Sequence, residues 1–290
     1  MLRWRLLLGT ILIATLVALC WLDYTSRSPG LWLAPIAFVL AIAASKEAIW
    51  LLNSKDLRPA GWVVFGGNIL IIAAAFLPHL HHGPQPSDSH DACVYVTFGI
   101  AVLAAFIAEM RRYERPGTSI LQVSLTIFCL AYVGILLAII VKLRFLLPGS
   151  VGLVPLILLI TVVKLGDIGA YTVGRLIGRH KMAPVLSPGK TWEGAVGAVA
   201  FAGLGAVLVL NVLYPWPSPA ANVPIWVSLV CGVAIGVAGM IGDLAESLFK
   251  RDMGRKDSSD WMPGFGGVLD IIDSLLLAAP VTYLCWRILL

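Results

Sequence analysis

Apolar residues fall in nine long runs, near 5–22, 31–51, 61–78, 93–110, 119–141, 151–173, 194–214, 225–248 and 269–289. Crossing ~30 Å of hydrocarbon takes about 20 helical residues. Each run therefore predicts a membrane-spanning helix, and the fold class is all-α, a polytopic integral membrane protein with about nine transmembrane helices. The first run follows Arg3 and Arg5 and could pass for a signal peptide. No convincing small-residue cleavage pattern follows it in DYTSRSPG, so it counts as a span. There is no internal repeat and no low-complexity segment.

The polar positions between the runs set the orientation. Of the 21 lysines and arginines, Lys46 and Lys164 lie within spans. If the N-terminus is cytoplasmic, only Arg27, Lys142, Arg144 and Arg287 fall outside. All the others reach inside loops, the side where basic residues concentrate. The spacing thus predicts an N-in, C-out protein of the cell (inner) membrane. Lys142 and Arg144 fit worst and point to an error in the fifth or sixth helix.

Composition agrees: 59% of residues are hydrophobic and 13% charged, with mean hydropathy +0.90. A soluble domain carries about 25% charge. The net charge of +5 would suit a nucleic-acid partner, but its placement in inside loops argues against one. The five cysteines lie in or beside apolar runs without CxxC spacing. They read as packing residues, not as a disulfide framework or zinc site.

Two parts follow, residues 1–145 with five spans and 146–290 with four spans and two cytoplasmic loops. In the first part, Lys46 and Glu47 interrupt the second run. Neighbours on a helix point about 100° apart, and the pair reads as snorkelling or facing other helices rather than as a site. His79, His81, His82 and His90, with Asp88 and Asp91, have no regular ligand spacing and read as a solvated loop.

The second part is richer. Asp167 lies near the cytoplasmic end of the sixth run, followed by Gly169, Tyr171 and Gly174. Small residues at that spacing admit a neighbouring helix or a ligand. Ser187-Pro188-Gly189-Lys190-Thr191 departs from the nucleotide-binding GxxxxGK[ST] loop, and no strand is expected before it. Its glycine, its lysine and a helix start capped by Thr191 still suit an anion.

Asp243, Glu246, Ser247 and Lys250 stand at i, i+3, i+4 and i+7, on one stripe of the eighth helix. Asp270, Asp273 and Ser274 repeat the spacing on the ninth. Antiparallel packing would bring Asp243, Asp270 and Asp273 to one depth, where three carboxylates repel unless cations fill the gap. An oxygen-only ligand set favours Mg²⁺, Mn²⁺ or Ca²⁺ over zinc. Lys250, Arg251, Arg255 and Lys256 then lead to a glycine-rich PGFGG turn. A carboxylate cage beside a cationic loop is suited to phosphoryl or nucleotidyl transfer.

The run from Ser247-Leu-Phe-Lys250-Arg251 through Lys256-Asp257-Ser258 to Pro263-Gly-Phe-Gly266-Gly267-Val-Leu-Asp270-Ile-Ile-Asp273-Ser274 resembles the signature of phosphatidate cytidylyltransferases (CDP-diacylglycerol synthases). Ser187-Pro-Gly-Lys190-Thr191-Trp-Glu193-Gly194 is similar to the family's SPxKTxEG segment, and Asp167 with Ala170-Tyr171 and Gly174-Arg175 matches as well. The chain departs from the pattern at Phe265, usually His, and Ile271, usually Arg.

The resemblance implies transfer of CMP from CTP to phosphatidic acid, with release of pyrophosphate. Asp243, Asp270 and Asp273 would hold Mg²⁺, one or two cations in all, and Lys250 would act beside them. Ser187, Lys190, Thr191, Ser247, Arg251, Lys256, Asp257, Gly266 and Gly267 would bind substrate. Asp167, Glu193 and Glu246 would orient metal or basic side chains. Expected partners are CTP, phosphatidic acid and the lipid bilayer, with a homodimer as one possible assembly. The alternatives are a related CTP-dependent lipid enzyme, such as a polyprenol kinase, and a cation transporter.

Overall fold

The computed structural model describes residues 2–26, 28–55, 57–80, 87–114, 116–215, 222–259 and 266–288. Each of the nine apolar runs is a helix: α1 (Leu2–Thr25), α2 (Ala34–Asn53), α3 (Gly61–Leu80), α4 (Ser87–Arg112), α5 (Ser119–Leu143), α6 (Leu153–Ile177), α7 (Trp192–Leu213), α8 (Ile225–Asp252) and α9 (Leu269–Ile288). Among the described residues, eight are long and apolar enough to cross a membrane, and α1 adds a shorter apolar stretch, Gly9–Thr25. Large apolar side chains such as Ile13, Leu70, Ile100, Ile120, Val196 and Leu204 are exposed. Helices that turn such faces outward suit hydrocarbon, and helical pairing satisfies their backbone polar groups without water.

The chain forms two compact units. One contains residues 1–145 and Met253–Ile271; the other contains Leu146–Asp252 and Ile272–Leu290. The signature loop and the first residues of α9 therefore group with the N-terminal helices.

In the first unit, α2 buries Ala37, Ala41, Ala44, Ser45, Ala48, Leu51 and Leu52. This is a three-to-four-residue stripe of small and aliphatic side chains. Asn68 of α3 donates to the Ser45 hydroxyl at 2.8 Å, and that hydroxyl donates to Ala41 O at 2.6 Å. Midway along α5 the hydrogen bonding loosens to a π turn, Leu130–Ile135. The approach to α3 is held by α5: Gln122 accepts from Arg58 N at 2.8 Å, and Thr126 accepts from Ala60 N at 2.9 Å.

Arg144 corrects the basic-residue tally. It is buried and pairs with buried Asp23, Nε to Oδ2 at 2.6 Å. It is a core ion-pair residue, so it carries no weight as a loop charge. Lys142 lies 5.6 Å from the Tyr95 ring centroid, in cation–π range.

The second unit departs from an all-helical plan at one place. Lys181–Ala183 (β1) and Ser187–Thr191 (β2) form an antiparallel ribbon, pairing Lys181 with Thr191 and Ala183 with Ser187. The segment expected as a turn is thus a strand with another before it. Pro188 is tolerated because both strands of a two-stranded ribbon are edges. The ribbon leads into α7, with Trp192 N donating to His180 O at 2.9 Å and Thr191 capping the helix by accepting from Gly194 N at 3.1 Å. Along α6 and α7, Gly169 and Gly197 meet so closely that a Cβ on either would collide with the other's carbonyl oxygen. The small residues around Asp167 therefore serve helix packing.

Removing one partner of a buried pair strands the other's charge. Arg144→Met is expected to lower stability by about 3–5 kcal/mol. The double variant Asp23→Leu/Arg144→Met should recover most of it, as read by thermal unfolding in detergent.

Candidate active site

In the first unit, two carboxylates organise the end of the signature loop. Asp270 reaches back along its own helix, and its Oδ2 accepts from Gly267 N at 2.8 Å, Ser258 N at 2.9 Å and Ser258 Oγ at 2.6 Å. Glu47, buried on α2, accepts from Val268 N at 2.8 Å and Leu269 N at 2.7 Å. Ser258 Oγ also lies 3.1 Å from Glu47 Oε2, so one buried hydroxyl stands between the two acids. The first N–H groups of a helix have no partner within it; here they are taken by Glu47 and Asp270. Gly266 turns the chain at φ +82°, and a Cβ at Gly267 would run into Glu47 and Ser258. These two glycines are what the loop geometry demands.

The second unit assembles a separate group of charges. Lys190, from β2, pairs with Asp243 of α8 at 2.8 Å, both partly exposed. On α6, Lys164 pairs with Asp167 at 3.3 Å. Asp167 also has Asp243 and Lys190 as charged neighbours. Asp273 has Asp243 and Lys164. Three carboxylates and two lysines thus share one field, drawn from α6, β2, α8 and α9. Asp243 reaches Asp273 because α8 and α9 cross closely: a Cβ on Gly242 would lie 2.8 Å from Asp273 O and 2.9 Å from Ser274 Cα.

The remaining expected residues take varied places. Lys250 pairs with Glu246 at 2.5 Å, both buried, as their i, i+4 spacing allows. Glu193 accepts from Arg179 N at 3.1 Å and lies 2.6 Å from His180 Nδ1, and so braces the entry to the ribbon. Arg251 Nε donates to Leu186 O at 3.3 Å and ties α8 to the ribbon. Lys256 and Asp257 are exposed and Ile271 is half-buried. Phe265, the other departure from the signature, lies outside the described residues.

Among the described residues, no three of His, Cys, Asp and Glu gather as a metal cluster. Within the second unit the fit to a hard cation rests on Asp243 and Asp273, two oxygen donors in each other's field. Lys164 and Glu47 were missed as site residues. Lys164 was set aside as a charge within a span, although its i, i+3 spacing to Asp167 was visible. In the sequence Glu47 reads as snorkelling or facing other helices; the signal that finds it is that an acid in an apolar run needs donors around it.

The fold defines a polytopic helical membrane protein whose second unit gathers lysines and carboxylates. The sequence profile of the cytidylyltransferase family matches residues 3–289, and the chain belongs to that family. It is 32% identical to the phosphatidate cytidylyltransferase of Staphylococcus saprophyticus over 252 residues, 87% of this chain and 88% of the relative. The phosphatidate cytidylyltransferases of Staphylococcus epidermidis (31%) and Staphylococcus aureus (32%) are similar over the same shares.

Because α8 and α9 touch through Gly242, Gly242→Val is expected to destabilise by about 1–3 kcal/mol through overpacking. Gly242→Ala should do so less, both read by thermal unfolding in detergent.

Proposed function

We propose that this chain transfers the cytidylyl group of CTP to phosphatidic acid, forming CDP-diacylglycerol and pyrophosphate at the cytoplasmic face of the cell membrane. The observation that carries this reading is the shared field of Asp167, Asp243 and Asp273 with Lys164 and Lys190. The names of the similar proteins and the weight of basic residues on one side of the spans support it too.

An oxygen of the lipid phosphate attacks the α-phosphorus of CTP. The bond from that phosphorus to the bridging oxygen breaks, and pyrophosphate leaves with the electron pair. A phosphomonoester has its second pKa near 6, so the nucleophile is largely dianionic at neutral pH and needs no strong base. Lys190 and Lys164 bring positive charge to the phosphates. Lys250 and Arg251 add more, with Glu246 positioning Lys250. Thr191 caps the start of α7. Asp243 and Asp273 would hold Mg²⁺ as oxygen donors. When bound, that ion neutralises charge on the phosphates during displacement.

Asp273→Asn is expected to abolish CDP-diacylglycerol formation while leaving the folded yield unchanged, as checked with purified protein, phosphatidic acid, Mg²⁺ and α-labelled CTP. Label appearing in lipid with wild type supports the reading. Label remaining in free CDP with a phosphorylated lipid would instead indicate a kinase.

A further inference from the structure

In the second unit, exposed apolar side chains crowd where α6 ends, the ribbon turns and α7 begins. Leu176 is 82% exposed and Val185, at the turn of the ribbon, 87%; Tyr171, Ile177 and Trp192 are exposed as well. With 25 residues, α6 exceeds the about 20 that cross hydrocarbon. The surplus falls at its C-terminal end, where Arg175 Nη1 donates to the Tyr171 hydroxyl at 2.6 Å and its Cζ lies 5.8 Å from the ring centroid. Trp192 stands at the same level on α7, because Gly174 packs against Gly194. Tyr and Trp concentrate at the boundary between hydrocarbon and headgroups. On the hydrocarbon side of this level, Ile168 and Val196 are exposed. On the other side a segment facing only water would be polar, yet Leu176, Ile177 and Val185 are not.

The charge around them has one sign. Between Asp167 and Glu193 the chain carries no acid. Arg175, Arg179 and Lys181 are exposed, whereas Lys190 is paired with Asp243 and His180 with Glu193. Basic residues just beyond a span attract anionic lipid, each contributing about fivefold in affinity. A neutral headgroup would leave these three charges uncompensated. A soluble polyanion would leave the apolar side chains in water. Only an anionic phospholipid answers both features.

We propose that the end of α6, the ribbon and the start of α7 form a docking surface for an anionic phospholipid. Its headgroup phosphate lies against Arg175, Arg179 and Lys181, and Val185 is seated among the upper parts of the acyl chains. None of the three cations belongs to the group formed by Asp167, Asp243, Asp273, Lys164 and Lys190. The docked lipid is therefore a neighbour of that group and not its substrate.

The test places the full-length protein in lipid nanodiscs and reads amide hydrogen exchange over residues 182–187. Neutral phosphatidylcholine discs are compared with discs that also contain phosphatidylglycerol, whose phosphodiester keeps it out of the proposed transfer reaction. Phosphatidylglycerol should slow exchange there by at least about tenfold, and Arg179→Gln or Lys181→Gln should each remove about fivefold of that protection. Salt at about 0.5 M, which shortens the reach of surface charge, should remove most of it. Val185→Asp should speed exchange of the same segment in anionic discs while exchange within α6 and α7 stays at the wild-type rate. Equal exchange in neutral and anionic discs overturns the proposal, and so does protection that survives salt and both substitutions. Protection given by phosphatidic acid alone would assign the surface to the substrate and overturns it too. Unchanged exchange in Val185→Asp overturns the seating of the ribbon. Transfer of CMP enters none of these readouts, so the docking surface and the proposed reaction stand or fall separately.

Discussion

A carboxylate placed among apolar helices must find donors or lose its charge, and Glu47 meets that demand with the backbone of the signature loop. Much of the first unit follows from this pairing. The loop between α8 and α9 is rich in glycine and charge. It is held at one end by Glu47 and Ser258, and beside that by the stacking of Arg255 on Trp50. Asp270 completes the arrangement from within the loop's own helix. The N-terminal helices therefore do more than pack together, since α2 supplies the carboxylate that shapes the loop.

The second unit solves a different problem. Its acids and lysines are neutralised in pairs, Lys190 with Asp243, Lys164 with Asp167 and Lys250 with Glu246. Charges at the ends of spans are costly in isolation, and pairing lets several coexist at one place. Close helix packing makes the pairing geometry possible. Glycines at 169, 197 and 242 bring backbones near contact, so that short aspartate side chains on different helices share a field. Apolar packing and polar chemistry are here one design, because the distance between helices sets the distance between charges.

The spans and the Thr191 cap were legible in the chain because each has a local cause: run length, or a side chain bonding three residues away. Asp167, Lys190, Asp243 and Asp273 stood out by residue type and spacing, and Lys164 did not. The ribbon was not foreseen, since a three-residue strand and a five-residue strand containing Pro188 give no strand periodicity, and their pairing is a tertiary fact. Arg144 was misjudged for the same reason. Its partner Asp23 is 121 positions away, and nothing local separates a loop arginine from a buried one.

What the chain determined by itself was the number of helices, their approximate ends, and the chemistry concentrated in two loops; these depend on neighbours in sequence. The tertiary structure decided who pairs with whom. It matched Lys190 with Asp243 and gave Glu47 to the amides of Val268 and Leu269, more than 200 positions away. A buried charge takes whichever partner the packing brings within about 3 Å, and that choice is made by the fold.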